Sequence, residues 1–434
     1  MGTATAGTRK TSFPKESIRV VLLEGVHPSS AEAFKGEGFQ VSYHEKALEG
    51  AALHKVLAEG GGAHIVAIRS KTELDAKALA ASPRLLAVGC FCIGTNQVDL
   101  KTAMASGVAV FNSPFSNTRS VAELTIAEVI ALHRRLVDQS MLMHKGGWDK
   151  SASGAHEVRG RTLGLVGYGH IGSQVSVLAE AMGMKVMFYD IASKLPMGNA
   201  VPCRKFDELL KASDVVSMHV PATETTHNML GRSQIKMMRR GSMVINNARG
   251  SVVDVPALAE AIKSGHIGGA AFDVFPNEPS GRGDKFASEL VGLPNVILTP
   301  HVGGSTEEAQ KNISDDVVGK LLKYINNGST SGSVNMPTVD LPEQMSEQAI
   351  EEAAAVSGSR RRSHRILHLH RNVPGVLSKM HTAIADLDVN INAEYLQTKG
   401  DVGYVVLDIA PNNGERILAS LKKMPETIRV RLLW

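Results

Sequence analysis

Residues 163–172, LGLVGYGHIG, put Gly167, Gly169 and Gly172 in the spacing G-x-G-x-x-G directly after an apolar, strand-like run. Downstream, MKVMFYD ends in Asp190, where the second strand of a strand–helix–strand unit would close. In that pattern the first glycine permits a tight strand-to-helix turn and the second admits a pyrophosphate close to backbone N–H groups. The third lets helix and strand pack closely. His170 and Ile171 fall at the start of the helix, where unsatisfied N–H groups and the dipole favour negative charge. A carboxylate at Asp190 accepts both ribose hydroxyls and repels a 2′-phosphate. The chemistry implied is therefore binding of NAD in preference to NADP.

A second set lies further along the chain. Arg249, Glu278 and His301 stand at the ends of apolar runs or in the loops after them. In open α/β sheets ligands bind outside the carboxyl ends of strands, so all three can face a bound nicotinamide. Oxidising a 2-hydroxy acid needs a base for the hydroxyl proton, a cation for the carboxylate and a dry pocket. Histidine, with an ordinary pKa of roughly 6.5, suits the first task. A glutamate can orient the imidazole and favour its protonated form. An arginine presents a planar fork to a carboxylate. Each residue alone has an ordinary structural reading: a histidine after a strand, a glutamate in a turn before Pro279, an arginine closing a strand. Their joint occurrence in this order is what points to chemistry.

The motifs GYGHIG, INNARGSVVD, AAFDVFPNEP and TPHVGGST, with Asp190, occur in the order found in the D-isomer-specific 2-hydroxyacid dehydrogenases, which the chain resembles. GCFCIGTNQVDL (89–100), NSPFSNTRSVAEL (112–124) and the carboxyl-terminal tail are similar to the branch of that family acting on D-3-phosphoglycerate. The likeness spans roughly 18–337 and 364–434. It implies that Arg249, Glu278 and His301 are the catalytic residues, with His301 as acid/base. It places Asp273 near the nicotinamide carboxamide. It assigns substrate binding to the first domain: Arg69 and Ser70 for a phosphate, and the loop containing Ile93 and Gly94 for the carboxylate. Asn117 completes that set. The tail resembles an ACT regulatory domain, in which His370, Asn372 and Asn390 correspond to residues that bind L-serine as an inhibitor.

These residues need a scaffold, and the hydrophobic pattern supplies one. Strand-like runs at 18–25, 63–70, 85–90 and 108–114 alternate with helical segments, and VAELTIAEVIALHRRLVDQSMLMHK (121–145) reads as one long helix. A second series follows at 163–168, 185–190, 215–221, 242–248, 269–275 and 295–301. Such alternation predicts parallel sheets with crossover helices. The expected fold is α/β, with two doubly wound, Rossmann-like domains followed by a ferredoxin-like βαββαβ domain. The substrate-binding domain would be discontinuous, 17–116 and 302–337, with a return helix at 306–326. The NAD-binding domain would span 117–301. Residues 338–363, rich in Glu, Ser, Ala and Arg, read as a linker before the tail domain at 364–434.

Composition limits the alternatives. A chain of 434 residues holds two or three domains with ample cores. Its net charge of +4 comes without a dense basic stripe, which argues against nucleic-acid binding and suits small anions. Three cysteines, Cys90, Cys92 and Cys203, are too few for a disulfide framework, so a reducing, cytoplasmic setting is expected. Cys90 and Cys92 read as packing residues, and no metal site is expected. No run approaches the ~20 apolar residues of a membrane span. The first 16 residues are polar and small and read as a disordered arm. The long helix and Trp148 look like a dimer surface, and paired tail domains would join dimers into a homotetramer. Two other functions stay open: reduction of another 2-oxo acid such as 2-oxoglutarate, or an NAD-sensing binding protein on the same fold.

Overall fold

In a computed structural model, which describes residues 14–279, 283–341, 364–410 and 413–433, three sheets carry the chain. Short apolar strands buried on both faces form most of the first: β1 (Arg19–Leu22), β3 (Ile65–Ile68) and β4 (Ala87–Cys90) inside, with β5 (Ala109–Asn112) at one edge. Near-continuous apolar runs of this kind are what a parallel sheet covered by helices requires. The edge strand β2 (Gln40–Tyr43) is polar and half exposed, and completes the parallel order β2-β1-β3-β4-β5. Helix α11 (Glu307–Asn327) brings Val317, Leu321, Tyr324 and Ile325 into the core beneath this sheet, beside Val20, Ile65 and Phe111. The expected return helix is thus present, displaced by one residue.

The second sheet has seven parallel strands: β6 (Thr162–Val166), β7 (Lys185–Tyr189), β8 (Val201–Pro202), β9 (Val215–Met218), β10 (Ser242–Asn246), β11 (Ile267–Phe272) and β12 (Val296–Leu298). Their order is β12-β11-β10-β9-β6-β7-β8. The chain moves outward from β6 to one edge and then returns to the other side of β6 at β9. The β6/β9 gap is therefore the switch point at which a doubly wound sheet opens a crevice. The segment read as one long helix is two: α5 (Thr118–Arg134) and α6 (Leu136–His144), broken at Arg135. Arg135 takes a left-handed conformation (φ 49°), and its N–H closes the last turn of α5 on the Ala131 and Leu132 carbonyls. Its guanidinium reaches Asp138 in the first turn of α6. The apolar periodicity continues across this break, which is why the sequence alone reads straight through it.

The tail forms a four-stranded antiparallel sheet in the order β14-β15-β13-β16, from β13 (His364–Arg371), β14 (Ile391–Lys399), β15 (Val402–Ile409) and β16 (Thr427–Leu433). Helices α12 (Val376–Ala385) and α13 (Gly414–Lys422) cover one face, giving the βαββαβ order. The other face is also apolar: Leu367, Leu369, Val402, Tyr404 and Val406 join the core that holds Tyr324 and Ile325 of α11. Tyr404 donates its hydroxyl to the Gly328 carbonyl at 2.6 Å, and Arg431 donates to the Ile325 carbonyl at 3.0 Å. Cations at the last carbonyls of a helix complement its dipole. Arg365, 1% exposed, forms a two-pronged pair with Asp408 at 2.6 and 2.7 Å and also donates to the Asn327 carbonyl.

The structure divides into two compact units, residues up to Pro114 with those from Lys311 onward, and Phe115–Gln310. The tail belongs to the first. The division on the return falls at 310/311 because the turn after β12 stays tied to the second sheet, as the hydrogen bonds of Val302 and Gly303 to Asp273 show. Most of the expected linker, 342–363, and residues 1–13 of the amino-terminal arm lie outside the described residues.

Removing one partner of a buried, hydrogen-bonded ion pair leaves a charge without compensation, at about 3–5 kcal/mol. Asp408→Ala is therefore expected to destabilise the first unit by about 3 kcal/mol, read as a lower denaturant midpoint. A midpoint unchanged from the wild type would mean that the Arg365–Asp408 pair adds nothing net to stability.

Candidate active site

The crevice at β6/β9 is built by glycine. Gly167 turns the chain with φ +94°, and a Cβ there would lie 2.5 Å from the His219 carbonyl oxygen at the end of β9. A Cβ on Gly172 would strike the Gly167 carbonyl oxygen, so the third glycine does let helix and turn meet. Nothing lies within 4 Å of a Cβ on Gly169, which leaves open space over the loop. Helix α7 (His170–Ala181) begins there without a side-chain cap, and His170 and Ile171 open its first turn. The amino end of a twelve-residue helix facing open space is the surface a pyrophosphate needs.

Asp190 follows β7 at the same edge. Its Oδ2 accepts the Tyr168 N–H at 2.8 Å and its Oδ1 accepts the Ala192 N–H at 2.9 Å. Those two bonds fix the carboxylate beside the glycine turn while each oxygen keeps a lone pair for a ribose hydroxyl. Tyr168, between the first two glycines, is buried; it stacks on Phe188 and bonds Ser176. It anchors the loop from below.

The triad lies at the carboxyl edge of the same sheet. His301 Nδ1 and Glu278 Oε2 are 2.8 Å apart, and Glu278 Oε1 accepts the Phe275 N–H at 3.1 Å. Glu278 thus orients the ring through one nitrogen and leaves Nε2 outside that bond. The His301 side chain is 54% exposed, and its backbone is left-handed at φ 55°, an uncommon state for a residue other than glycine. Arg249, half buried after β10, donates to the Ala248 carbonyl at 2.7 Å. A Cβ on Gly250 would overlap the Phe275 backbone, so the loop carrying Arg249 rests directly on the one carrying Glu278.

Asp273, 1% exposed, holds the turn that carries His301. Its Oδ1 accepts Thr299 Oγ1 at 2.6 Å and the Val302 N–H at 2.8 Å, and its Oδ2 accepts the Gly303 N–H at 2.7 Å. It pins the residues on either side of His301, and the sequence reading had given it only the cofactor. Thr299 was not singled out; a hydroxyl two residues before the histidine is the only signal it gives. Sequence reasoning also missed Glu128 and Asn247, a buried pair on α5 and after β10 joined at 2.6 Å.

In the first unit, Arg69 and Ser70 follow β3 and Ile93 and Gly94 follow β4, so these four share one edge of the five-stranded sheet. Gln97 ties them together: its Nε2 donates to the Arg69 carbonyl at 2.5 Å and to the Gly94 carbonyl at 3.3 Å. Asn112 holds the Ile93 carbonyl at 2.7 Å. The N–H groups of Lys71 and Thr72 are taken by Glu24, at 3.0 and 2.8 Å. Asn117 falls instead in the second unit, capping α5 beside Gly304, with its Oδ1 buried and unbonded.

The three tail residues are not brought together within one chain. His370 is buried against Gly403, with Nδ1 on the Arg371 carbonyl at 2.9 Å and Nε2 unbonded. Asn372 reaches the Gly400 carbonyl at 3.2 Å. Asn390 lies beyond the other end of the sheet, where its carbonyl accepts the Ala410 N–H. Seven residues of extended strand, from Gly403 to Ala410, separate the two places, about 20 Å at the usual rise.

Residues 126–303 match the family model described as D-isomer specific 2-hydroxyacid dehydrogenase, NAD binding domain, and 366–429 match the AHAS small subunit-like ACT domain. The chain is 48% identical over 428 residues to the D-3-phosphoglycerate dehydrogenase of Haemophilus influenzae, covering 98% of this chain and 100% of that one. It is 47% identical to the Escherichia coli protein of the same name, with the same coverage. Among solved structures it resembles the TT0316 protein of Thermus thermophilus (TM-score 0.65, 32% identity, 73% of this chain and 100% of that one). It also resembles the D-lactate dehydrogenase of Aquifex aeolicus complexed with NAD and lactic acid (TM-score 0.63, 28% identity, 74% of this chain and 100% of that one). No helix among the described residues is long and apolar enough to cross a membrane, and no described group of His, Cys, Asp or Glu could hold a metal ion.

A charge-assisted hydrogen bond contributes about 1.5–3 kcal/mol, or roughly 10- to 150-fold in binding. Asp190→Ala is accordingly expected to weaken NAD binding by at least tenfold and to narrow the margin over NADP, measured by fluorescence titration of the two cofactors. Unchanged NAD affinity would mean that Asp190 serves only to hold the Tyr168 and Ala192 backbone.

Proposed function

Since the chain belongs to the D-isomer-specific 2-hydroxyacid dehydrogenases, we propose that it oxidises D-3-phosphoglycerate to 3-phosphohydroxypyruvate with NAD, opening phosphorylated L-serine synthesis. The observation that carries this reading is the His301–Glu278 pair, 2.8 Å apart, on the sheet edge that also bears the glycine turn and Arg249. In it, His301 Nε2 takes the C2 hydroxyl proton, and Glu278 steadies the imidazolium that forms. Arg249 holds the carboxylate and polarises the C2 oxygen. Arg69 and Ser70 hold the phosphate, and the backbone N–H groups at Ile93 and Gly94 meet the carboxylate. NAD held at the glycine turn would supply the acceptor for the C2 hydride. Gly167, Gly169, His170, Ile171, Gly172 and Asp190 would hold the cofactor.

L-Serine is proposed as a feedback inhibitor bound between two copies of the tail. His370 and Asn372 at one end of the sheet and Asn390 at the other complement each other only when a second sheet is laid antiparallel against the first. Such pairing, together with the exposed Leu136, Met141, Met143 and Trp148 on and after α6, supports a homotetramer. The proposed setting is the cytoplasm.

A second substrate reading keeps the same fold: the similarity to a lactate dehydrogenase leaves room for a smaller or different 2-oxo acid. Arg69→Ala separates the two. If the phosphate is recognised there, kcat/KM for 3-phosphohydroxypyruvate falls about 10- to 150-fold while that for 2-oxoglutarate changes little. Equal losses on both acids would overturn the phosphate assignment. For the tail, NADH oxidation with 3-phosphohydroxypyruvate is followed as L-serine is added. Suppression that disappears in Asn390→Ala supports the serine site, whereas turnover indifferent to serine removes it and leaves the enzyme.

A further inference from the structure

The loop between β10 and Arg249 is held from two directions. Asn246 grips it from within: its Nδ2 donates to the Arg249 carbonyl at 3.0 Å and its Oδ1 accepts the Ala248 N–H at 3.2 Å. Its own carbonyl accepts the Asp273 N–H at 3.1 Å, which links this loop to the strand below His301. Asn247 points the other way, into α5, where its Nδ2 donates to Glu128 Oε2 at 2.6 Å and to Thr125 Oγ1 at 3.1 Å. Glu128 is 3% exposed and Asn247 8% exposed. A carboxyl this deep in the second unit, two residues from Arg249 through its partner, is a costly group to keep unless it has a task.

We propose that Glu128 is a positioning residue for the reaction: its carboxyl, presented by α5 to Asn247, fixes the loop from which Arg249 meets the substrate. The inference rests on the reading that Arg249 contacts substrate. The hydrogen-bond inventory says which form of the carboxyl does this. Glu128 Oε1 and Asn247 Oδ1 are both buried and neither has a partner. An ionised carboxylate would leave a charged oxygen buried there without a donor, so the protonated acid, which carries no charge, is the form this site favours. Burial, opposed in part by the Asn247 bond and aided by the charge of Asp273, raises the Glu128 pKa to about 8. On the strands packed against α5, the neighbours it meets are the neutral Asn247 and the Asp273 carboxylate; Thr125 on its own helix is neutral too. At neutral pH the residue is the acid, and as pH rises through about 8 it becomes a second anion beside Asp273.

The test compares the full-length wild type, Glu128→Gln and Glu128→Ala on whichever 2-oxo acid the wild type reduces. Failure of the phosphorylated substrate would therefore count against the proposed activity and not against Glu128. Glutamine keeps one donor and one acceptor without a titrating proton. The wild type is expected to lose kcat/KM as pH rises through about 8; Glu128→Gln is expected to stay within about threefold of wild-type kcat/KM at pH 7 and to lack that decline. Glu128→Ala is expected to lower kcat/KM at least tenfold, through both KM and kcat, with the NADH dissociation constant within twofold of wild type. Wild-type kinetics in Glu128→Ala, or an alkaline decline in Glu128→Gln identical to that of the wild type, would overturn the proposal. Should the alanine variant fail to fold, the pH profile of the glutamine variant decides by itself.

Discussion

The Asp273 carboxylate is the constraint on which the active-site edge depends. A buried anion persists only where donors surround it, and here three converge from the turn that follows β12: Thr299 Oγ1, Val302 N–H and Gly303 N–H. His301 sits between those donors. Its left-handed backbone is an uncommon state, and it is held there because the residues before and after it are bound to one carboxylate. The same anion sits at the end of β11, whose N–H also takes the Asn246 carbonyl, so the Arg249 loop is referenced to the same point. Glu278 then needs only the Phe275 N–H to bring its second oxygen to the imidazole.

Much of this was legible from residue types and spacing, and the reasons differ by element. The inner strands of both parallel sheets declare themselves because burial on both faces favours near-continuous apolar runs, as in Ile65–Ile68, Ala87–Cys90 and Val215–Met218. The glycine turn is legible because close approach of backbone to backbone allows no substitute. The edge strands Gln40–Tyr43 and Val201–Pro202 were not read: half exposed, short and polar, they carry no period that distinguishes them from loop. The break at Arg135 escaped because a left-handed arginine closing one helix and starting another leaves the apolar pattern intact.

The site residues show the same division. Arg249, Glu278 and His301 are visible as polar residues where apolar strands end. The bonds that place them are not, because they join positions far apart in sequence: Asp273 to Gly303, Asn247 to Glu128. A glutamate in the middle of TIAEVIALHRR reads as the solvent face of a helix. Its burial follows from the strands that pack against α5, which the helix's own sequence does not encode. The tail is a comparable case. Both faces of its sheet are apolar, yet the partner of the second face, α11, lies before the linker in sequence.

Two carboxyls in the same neighbourhood, Asp273 and Glu128, are surrounded differently, and the donors around each show how. Asp273 has three, two of them backbone N–H groups that cannot leave, so its charge is compensated where it stands. Glu128 receives Asn247 alone, and the field of Asp273 opposes a second charge. Environment thus separates two chemically similar acids, one into an anchor for the histidine turn and one into a neutral partner for an amide. The consequence for stability has a definite direction. The folded chain holds the Glu128 proton up to about pH 8, whereas an unfolded glutamate releases it near 4.5. The contribution of this group is therefore fully present below about 4.5 and is lost as pH rises through about 8, where ionisation would place a second negative charge beside the first.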